Sequence, residues 1–355
     1  MSSGALSELR RSSMADRRRE LVKKYLQRPE TAGIILLFVL AILFQVRSDG
    51  AFFSLENVRG VAALAPEIAI VVIGVTVLMI CGEFDLSVGS VFALAPMSMA
   101  LALGAGVPFP LAVCLGLLVA MAVGLANGLL TLLSGIPSFI VTLGMLYMAR
   151  SITIVLSGGF PPLLPSDIPD WIFIAPIWQG SVLRMSFLWF IAIAVLAALM
   201  MGRTNLGNWI TATGGGREAA AAMGVPVFRV KLFTFILCSA LAGFAGIVEV
   251  LRLGSPFPSI GEGVELQAIS AAVIGGTALS GGIGTVLGAI IGALLVRIID
   301  NGMVLIGVDA NWFKFAIGFL TVFAVIANGW LRRKGASLKV RRSKSSDSAT
   351  NPGLA

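Results

Sequence analysis

Histidine is absent from this chain of 355 residues, and charged residues make up only 12% of it. Without histidine the chain cannot build a Ser-His-Asp triad or a metal site that needs imidazole. Soluble domains carry roughly 25% charged residues, so a water-soluble surface could not be covered here. A hydrophobic content of 57% and a mean hydropathy of +0.96 therefore indicate an integral membrane protein of the all-α class.

The small number of cysteines and the absence of a Gly-Lys pair argue against two further kinds of site in this chain: a disulfide framework and a nucleotide-binding loop. The three cysteines, Cys81, Cys114 and Cys238, lie in or beside apolar stretches, so no disulfide framework is expected. No Gly-Lys pair occurs, which excludes a phosphate-binding loop of the GxxxxGK[ST] type. Any ATP-driven process that involves this chain would have to take its energy from another polypeptide, and we expect no enzymatic activity, cofactor or metal in this chain.

The net charge of +8 is concentrated in the two tails. Residues 1–30 contribute +4 and residues 331–355 contribute +6, whereas residues 31–330 sum to −2. Nucleic acid is not indicated as a partner, because no aromatic platform accompanies the basic clusters. Basic clusters beside apolar segments are typical of cytoplasmic flanks. We predict two basic cytoplasmic tails, 1–30 and 331–355, around a transmembrane domain over 31–330.

Apolar segments approach the length needed to span about 30 Å of hydrocarbon. A short first segment and tight breaks near 81–86 and 281–283 leave eight to ten crossings. Ten crossings agree with the loop charges, which place the basic segment 203–231 in the cytoplasm and the acidic loops 157–185 and 252–265 outside. No cleaved signal peptide is expected, since the first apolar run follows a long mixed-charge segment. The segments are 31–46, 58–80, 86–104, 110–133, 137–156, 186–202, 230–251, 266–281, 283–299 and 311–330.

Small residues recur every four positions, which favours close packing of helices within a bundle. They are Gly116, Ala120, Gly124 and Gly128, and then Gly284, Gly288 and Gly292. A weak internal similarity at an offset of 174 residues also relates 127–144 to 301–318. The two copies run in opposite directions in the predicted topology, as in an inverted repeat. Chance matching in a glycine-rich background is the alternative.

The segment TGGGREAAAAMGVP, residues 213–226, joins a glycine cluster to a run of alanines. Alanine is the best helix former, glycine and Pro226 delimit the ends, and Glu218 complements the helix dipole. We predict a short cytoplasmic helix over about 214–225, slim enough to enter a groove on a partner. An ordinary amphipathic connector is the alternative, although a connector does not need this run of small residues.

Five short motifs follow one another along the chain. They read GEFDLSVGS (82–90), SFIVTLG (138–144), EAAAAMG (218–224), AISAAVIGGTALSGGIGT (268–285) and NGMVLIGV (301–308). The third resembles the EAA…G coupling-helix motif of permease subunits in ATP-binding-cassette importers. The first and fourth resemble GGIDLSVGS and AIAAVVLGGTSLMGGIGT of the ribose-type sugar permeases. The resemblance covers about 58–330, and the chain departs from it at Glu83, where the family has glycine, and at Gly214–Gly216, where the family often has asparagine before the glutamate.

The resemblance implies a permease of the bacterial plasma membrane for a monosaccharide or related polyol, with both termini cytoplasmic. It implies three kinds of partner: cytoplasmic ATPase subunits, an extracytoplasmic sugar-binding protein and a second permease subunit, identical or related. It also implies that the ATPase couples at Gly216, Arg217, Glu218, Ala219, Ala220 and Gly224.

Polar residues at the breaks 82–91 and 268–286 predict the translocation path. Non-helical backbone at membrane depth is tolerated only where protein or a water-filled cavity satisfies it. Sugar hydroxyls both donate and accept hydrogen bonds, so they need polar partners. For each residue a helix cap or a local backbone bond is the alternative. The path candidates are Asp85, Ser87, Asn127, Thr277, Ser280 and Asn301.

Two other functions are compatible with the residues alone. In a cation-coupled secondary transporter, Glu67, Glu249 or Asp300 would bind the coupling ion, since a charge at the bilayer centre costs on the order of 2.5–3.5 kcal/mol and needs a reason. Solvation at an interface is the simpler explanation of these acids. A non-transporting membrane scaffold is the second function. The sequence leaves open the solute (pentose, hexose, deoxysugar, cyclic polyol or furanosyl signal) and the choice of homodimer or heterodimer.

Overall fold

A computed structural model describes residues 30–309 and 311–326. The predicted tails, 1–30 and 331–355, lie outside the described residues apart from Glu30. In the described part of the chain every regular element is a helix, with one isolated β-bridge between Pro176 and Arg184. The all-α prediction is confirmed.

The helices follow the predicted apolar segments, and a 3-10 helix, Ala51–Phe53, separates the first two. In chain order they are α1 Thr31–Arg47, α2 Leu55–Ile80, α3 Val88–Gly104, α4 Phe109–Ser134, α5 Ser138–Ser157, α6 Trp171–Ile174, α7 Met185–Arg203, α8 Asn205–Gly215, α9 Arg217–Ala222, α10 Val227–Leu253, α11 Val264–Ile274, α12 Val286–Leu305 and α13 Trp312–Ile326.

Six helices are long and apolar enough to cross a membrane: α2, α4, α5, α7, α10 and α12. With the shorter apolar helices α1, α3, α11 and α13, the described residues hold ten apolar helices. The predicted segment 266–281 is wrong as a single span, because α11 ends at Ile274. Gly276 has φ +97°, a left-handed conformation that ends the helix.

The centre of the bundle is formed by α2 and α10. In the most apolar window of each helix, 89% of α2 and 67% of α10 is buried, against 17% of α7. Helices α4, α5 and α7 expose apolar side chains such as Leu118, Tyr147 and Leu196. Apolar surface of this extent is suited to lipid, where it costs nothing to leave uncovered.

Glycines allow the inner helices to touch backbone to backbone. A Cβ on Gly116 would lie 2.7 Å from the carbonyl oxygen of Ala95 in α3, and one on Gly124 would lie 2.7 Å from that of Phe235 in α10. A Cβ on Gly292 would overlap the carbonyl oxygen of Ala271. The small-residue spacing therefore serves packing within the bundle, as predicted.

Residues 204–226 define one end of the bundle, called the motif side; the opposite end is the far side. Helix α7 ends and α10 begins on the motif side. Helix α2 also ends there, since Gly82 approaches Gly214, and α12 begins there, since Gly282 approaches Gly215. The bundle is interrupted at two places, 81–87 between α2 and α3 and 275–285 between α11 and α12.

Candidate transport site

The first interruption buries a carboxylate among donors. Ser87 donates to Asp85 Oδ1 through its backbone N–H at 2.8 Å and through its hydroxyl at 2.6 Å. Asn127 Nδ2 and Ser239 Oγ each lie 3.3 Å from Asp85 Oδ2. All four residues of this Asp85 cluster are 0% exposed. The carboxylate is satisfied on both oxygens, which is the condition for burying such a group.

The Asp85 cluster lies inside the bundle and not at its edge. The N–H groups of Phe84 and Leu86 donate to Ser138 Oγ and Thr142 Oγ1, each at 3.1 Å, so the interruption runs beside the first turns of α5. Asn127 is about 10 Å from the end of α4 at 1.5 Å per residue. Side chains of neighbouring helices thus satisfy the non-helical backbone at depth.

Glu83, the departure from the family motif, forms an ion pair with Lys231. The side chains are 12% and 8% exposed, so the pair is largely removed from water. The sequence placed Lys231 in a cytoplasmic loop; this was wrong, because Lys231 lies in the first turns of α10 and is buried. The extra acid is balanced by a cation from a neighbouring helix.

The other three path candidates do not join the Asp85 cluster. Thr277 is buried and its Oγ1 has no hydrogen-bond partner within the described residues, whereas Ser280 is exposed. Asn301 exchanges hydrogen bonds of 3.0 and 2.8 Å with Asn57, near the start of α2. Ile80, at the other end of α2, is about 35 Å from Asn57 at 1.5 Å per residue. The six candidates therefore form no single cluster, since the Asn57 amide holds Asn301 at the far side.

The predicted coupling helix is shorter than expected. Helix α9 covers six residues, Arg217–Ala222, because Gly216 is extended before it and Gly224 has φ +82° after it. Glu218 lies in its first turn, as predicted, and Ala220 is buried at 5% exposure. The exposed residues of this segment include Arg217, Glu218, Ala219, Met223 and Gly224. The segment presents a slim, open face on the motif side.

Three chain segments meet where α8 ends. The N–H of Gly282 donates to the carbonyl oxygen of Ile80 at 2.8 Å. A Cβ on Gly281 would lie 2.7 Å from the carbonyl oxygen of Gly214, and a Cβ on Gly214 would overlap that of Ile80. Together Gly82, Gly214, Gly281 and Gly282 form the glycine junction. It joins α8, which leads into α9, to both interruptions of the bundle.

Arg150 of α5 ties the far-side loop 254–263 to the start of α3. Its Nη1 donates to the carbonyl oxygens of Pro258 and Ile260 at 2.6 and 2.8 Å, and its Nη2 donates to that of Gly89 at 3.0 Å. A guanidinium suits this position because it offers several donors in a fixed fork. One side chain therefore joins three segments of the bundle.

Two hydrogen-bonded ion pairs lie inside the far-side half. Arg252 donates to both oxygens of Glu67, at 2.8 and 3.0 Å, and Glu67 is 2% exposed. Arg297 donates to Asp300 at 3.0 Å. Among the described residues, no group of three or more His, Cys, Asp and Glu side chains is arranged to hold a metal ion. A cation of the protein itself occupies Glu67, one of the candidates for a coupling ion.

Sequence reasoning missed several residues that build these sites. Arg150 and Arg297 carried a signal, since charges within apolar spans are rare and costly. Ser239 carried no such signal in the sequence, because the hydroxyl of a serine in a long apolar helix ordinarily forms a hydrogen bond with the backbone of that helix.

Among the described residues, a bundle of apolar helices with two interruptions and an exposed alanine-rich helix agrees with the architecture expected of a transport permease. Residues 57–325 match the family model described as "Branched-chain amino acid transport system / permease component", and the chain belongs to this family. The prediction of a permease component is confirmed, and the family is one of transport components and not of enzymes.

Individual relatives cover nearly the whole chain. It is 34% identical to the autoinducer 2 import system permease protein LsrC of Photorhabdus luminescens, over 85% of this chain and 90% of that protein. It is 33% identical to the ribose import permease protein RbsC of Escherichia coli (strain K12), over 88% and 96%. It is 34% identical to the probable ABC transporter permease protein y4mJ of Sinorhizobium fredii, over 90% and 94%. No solved structure matches the chain.

Proposed function

We propose that this chain is the permease subunit of an ATP-binding-cassette importer that moves a monosaccharide or a related polyol. The observation that carries the proposal is α9, an exposed helix whose preceding residues pack against both interruptions of the bundle at the glycine junction. A partner that binds and moves α9 could therefore also move the two interruptions inside the bundle. The partner's nature is supported by the relative named as an ABC transporter permease.

The solute is proposed to be a sugar or polyol and not an amino acid. The family description names branched-chain amino acids, but two relatives matched over most of their length are import permeases for ribose and for autoinducer 2. The motifs at 82–90 and 268–285 also resemble the ribose-type permeases. An extracytoplasmic binding protein would deliver the solute.

We propose that the motif side faces the cytoplasm of a bacterial plasma membrane. This orientation places Arg203, Arg217 and Arg229 inside, in agreement with the positive-inside rule. Ten crossings would then bring both basic tails to the same side, around a permease domain over 31–330. Loops 157–185 and 252–265 would face the binding protein.

The assembly would be two-fold. Each α9 would bind one ATPase subunit. A pair of ATPases therefore needs two such helices, so a second permease subunit, identical or related, would complete the importer. The residues proposed to contact the ATPase are Gly216, Arg217, Glu218, Ala219, Ala220 and Gly224.

Transport would proceed by movement of rigid bodies. Closure of the ATPases on ATP would displace α9 and α8, and the glycine junction would pass the displacement to both interruptions. Asp85, Ser87 and Asn127 would hold the start of α3 during this movement. Thr277 and Ser280 remain proposed path residues, because their hydroxyls have no hydrogen-bond partner within the described residues.

Uptake by proteoliposomes tests the proposal. The chain is reconstituted with the ATPase and binding protein of its transport system and offered labelled D-ribose, D-xylose, myo-inositol or leucine. We expect uptake of a sugar or polyol that requires ATP and resists a protonophore. Uptake driven by an ion gradient without ATP would contradict the importer, and uptake of leucine alone would contradict the solute class.

A further inference from the structure

A cavity of about 210 Å³ lies between α2, α3, α10, α11, α12 and α13, and no residue of the Asp85 cluster lines it. Its polar wall comes from the far-side halves of three helices: the end of α10, the start of α11 and the end of α12. Two phenylalanines also line the cavity, and one of them, Phe92, is almost fully buried. The polar and aromatic lining residues are Phe92, Glu249, Gln267, Arg297, Asp300 and Phe313.

The side chains of Glu249 and Gln267 can form further hydrogen bonds. Arg252 gives its hydrogen bonds to Glu67, and its Nη2 is 3.8 Å from Glu249 Oε1, too far for a hydrogen bond. The Gln267 amide makes no hydrogen bond within residues 30–309 and 311–326. Within the described residues the wall therefore offers a carboxylate that is held only by a long ion pair with Arg252, beside an amide without a hydrogen bond.

Arg297 adds a donor to this wall. Its Nη1 donates to Asp300 and its Nη2 to the carbonyl oxygen of Leu64, at 3.0 and 3.1 Å. Its Nε–H is buried and has no acceptor among the described residues. Buried polar groups are nearly always paired in native proteins, so this group is available to a water molecule or to a bound solute.

The chemistry of the wall selects a class of ligand. Two carboxylates and one guanidinium sum to a charge of −1, which disfavours an anion. Acceptors and donors placed side by side suit hydroxyl groups, because each hydroxyl does both. The half-buried phenyl ring of Phe313 offers apolar surface to the C–H groups of a sugar ring, and sites of this kind combine apolar walls with a few polar groups.

We propose that this cavity binds the neutral polyhydroxylated solute on its way through the permease, with Glu249 and Gln267 as its main hydroxyl partners. The inference rests on the proposed function and extends it by naming the contact residues. The Asp85 cluster cannot take this role, because its carboxylate is already satisfied and fully buried.

The assembled importer in proteoliposomes, offered labelled D-ribose, tests the cavity. Glu249→Gln removes the charge and Gln267→Leu removes the amide, each with little change of volume. We expect each to lower uptake about tenfold, the effect of losing roughly one hydrogen bond to a solute. Thermal stability and ATP hydrolysis should stay unchanged. Glu56→Gln is the matched control: it removes an exposed acid from the same side, outside the loops that would face the binding protein, and should leave uptake unchanged.

Thiol labelling gives a readout that does not depend on the transport rate. In a Cys114→Ser background the remaining Cys81 and Cys238 are buried. Gln267→Cys should react with a membrane-impermeant methanethiosulfonate reagent, and D-ribose with the binding protein should slow the reaction. Ala289→Cys, at a position that is 0% exposed, should not react.

The outcomes separate the cavity from the proposed function. Uptake of D-ribose that is unchanged in both variants, or Gln267→Cys that is unreactive, would overturn the cavity and leave the importer standing. Uptake that needs a sodium gradient and loses this need in Glu249→Gln would overturn it in favour of a cation site. If the unsubstituted complex takes up no sugar or polyol with ATP, the proposed function fails.

Discussion

The backbone N–H of Gly282 donates a 2.8 Å hydrogen bond to the carbonyl oxygen of Ile80, so the two interruptions of the bundle touch without any side chain between them. Gly214, at the end of α8, packs against the same carbonyl group. Backbone in direct contact cannot yield as a flexible side chain can. We therefore expect a displacement of α8 to move both interruptions.

Substitution at the glycine junction should separate ATP hydrolysis from uptake. Gly214→Ala places a methyl group on the Ile80 carbonyl, and overpacking of this kind costs about 1–3 kcal/mol. We expect a lower thermal midpoint and reduced uptake of labelled solute per ATP hydrolysed. Gly215→Ala is the control, because a Cβ there meets nothing within 4 Å. Equal behaviour of the two variants would refute the role of the junction.

Bulk on α9 should block its fit to the ATPase while leaving the permease folded. Glu218→Trp adds a large ring to an exposed position of the motif side, so we expect ATP hydrolysis to become independent of the binding protein and uptake to be lost. Glu56→Trp makes the same change at an exposed position of the far side. Normal uptake by the Glu218→Trp variant in vesicles would contradict the assignment of α9 as the coupling helix.

The stability of the Asp85 cluster should depend on the carboxylate of Asp85, which accepts hydrogen bonds from the surrounding donors. Asp85→Asn turns an NH₂ group toward the donors of Asn127 and Ser239, and an unsatisfied buried group costs about 1–3 kcal/mol. We expect a lower thermal midpoint and impaired uptake, with assembly with the ATPase retained. The double variant Asp85→Asn with Asn127→Asp restores an acceptor and should recover part of the loss. Independent, additive effects in this cycle would show that the two side chains do not interact.

The ion pair between Lys231 and Glu83 should be more sensitive to loss of one partner than of both. Lys231→Met leaves a carboxylate that is 12% exposed without its cation, and removing one partner of a buried pair costs about 3–5 kcal/mol. Lys231→Met with Glu83→Gln should be closer to the unsubstituted protein. The measurement is the thermal midpoint of the purified permease, and a double variant less stable than Lys231→Met would contradict the pairing.

The helices were predictable because apolar length carries the signal, and nine of the ten apolar segments correspond to single helices in the described residues. The exception, 266–281, looked continuous because its glycines and alanines are apolar. Only the backbone geometry at Gly276 shows that the helix stops.

The polar contacts were not predictable from the sequence. Asp85 and Ser239 are 154 positions apart, and Glu83 and Lys231 are 148 apart, so nothing local marks them as partners. Lys231 follows several basic residues of a loop, which made a solvated position the natural expectation. Asn301 matches Asn127 in the internal similarity, yet Asn57 holds it near the opposite end of α2. The inverted repeat stays a prediction.

Arg150 limits how the far side can open. Its three hydrogen bonds, to Pro258, Ile260 and Gly89, fasten the loop after α10 and the start of α3 to α5. These pieces must travel as one block in any cycle that keeps the guanidinium bonded. In the proposed importer the solute would therefore have to enter along the border of this block, between it and the helices that the guanidinium does not reach.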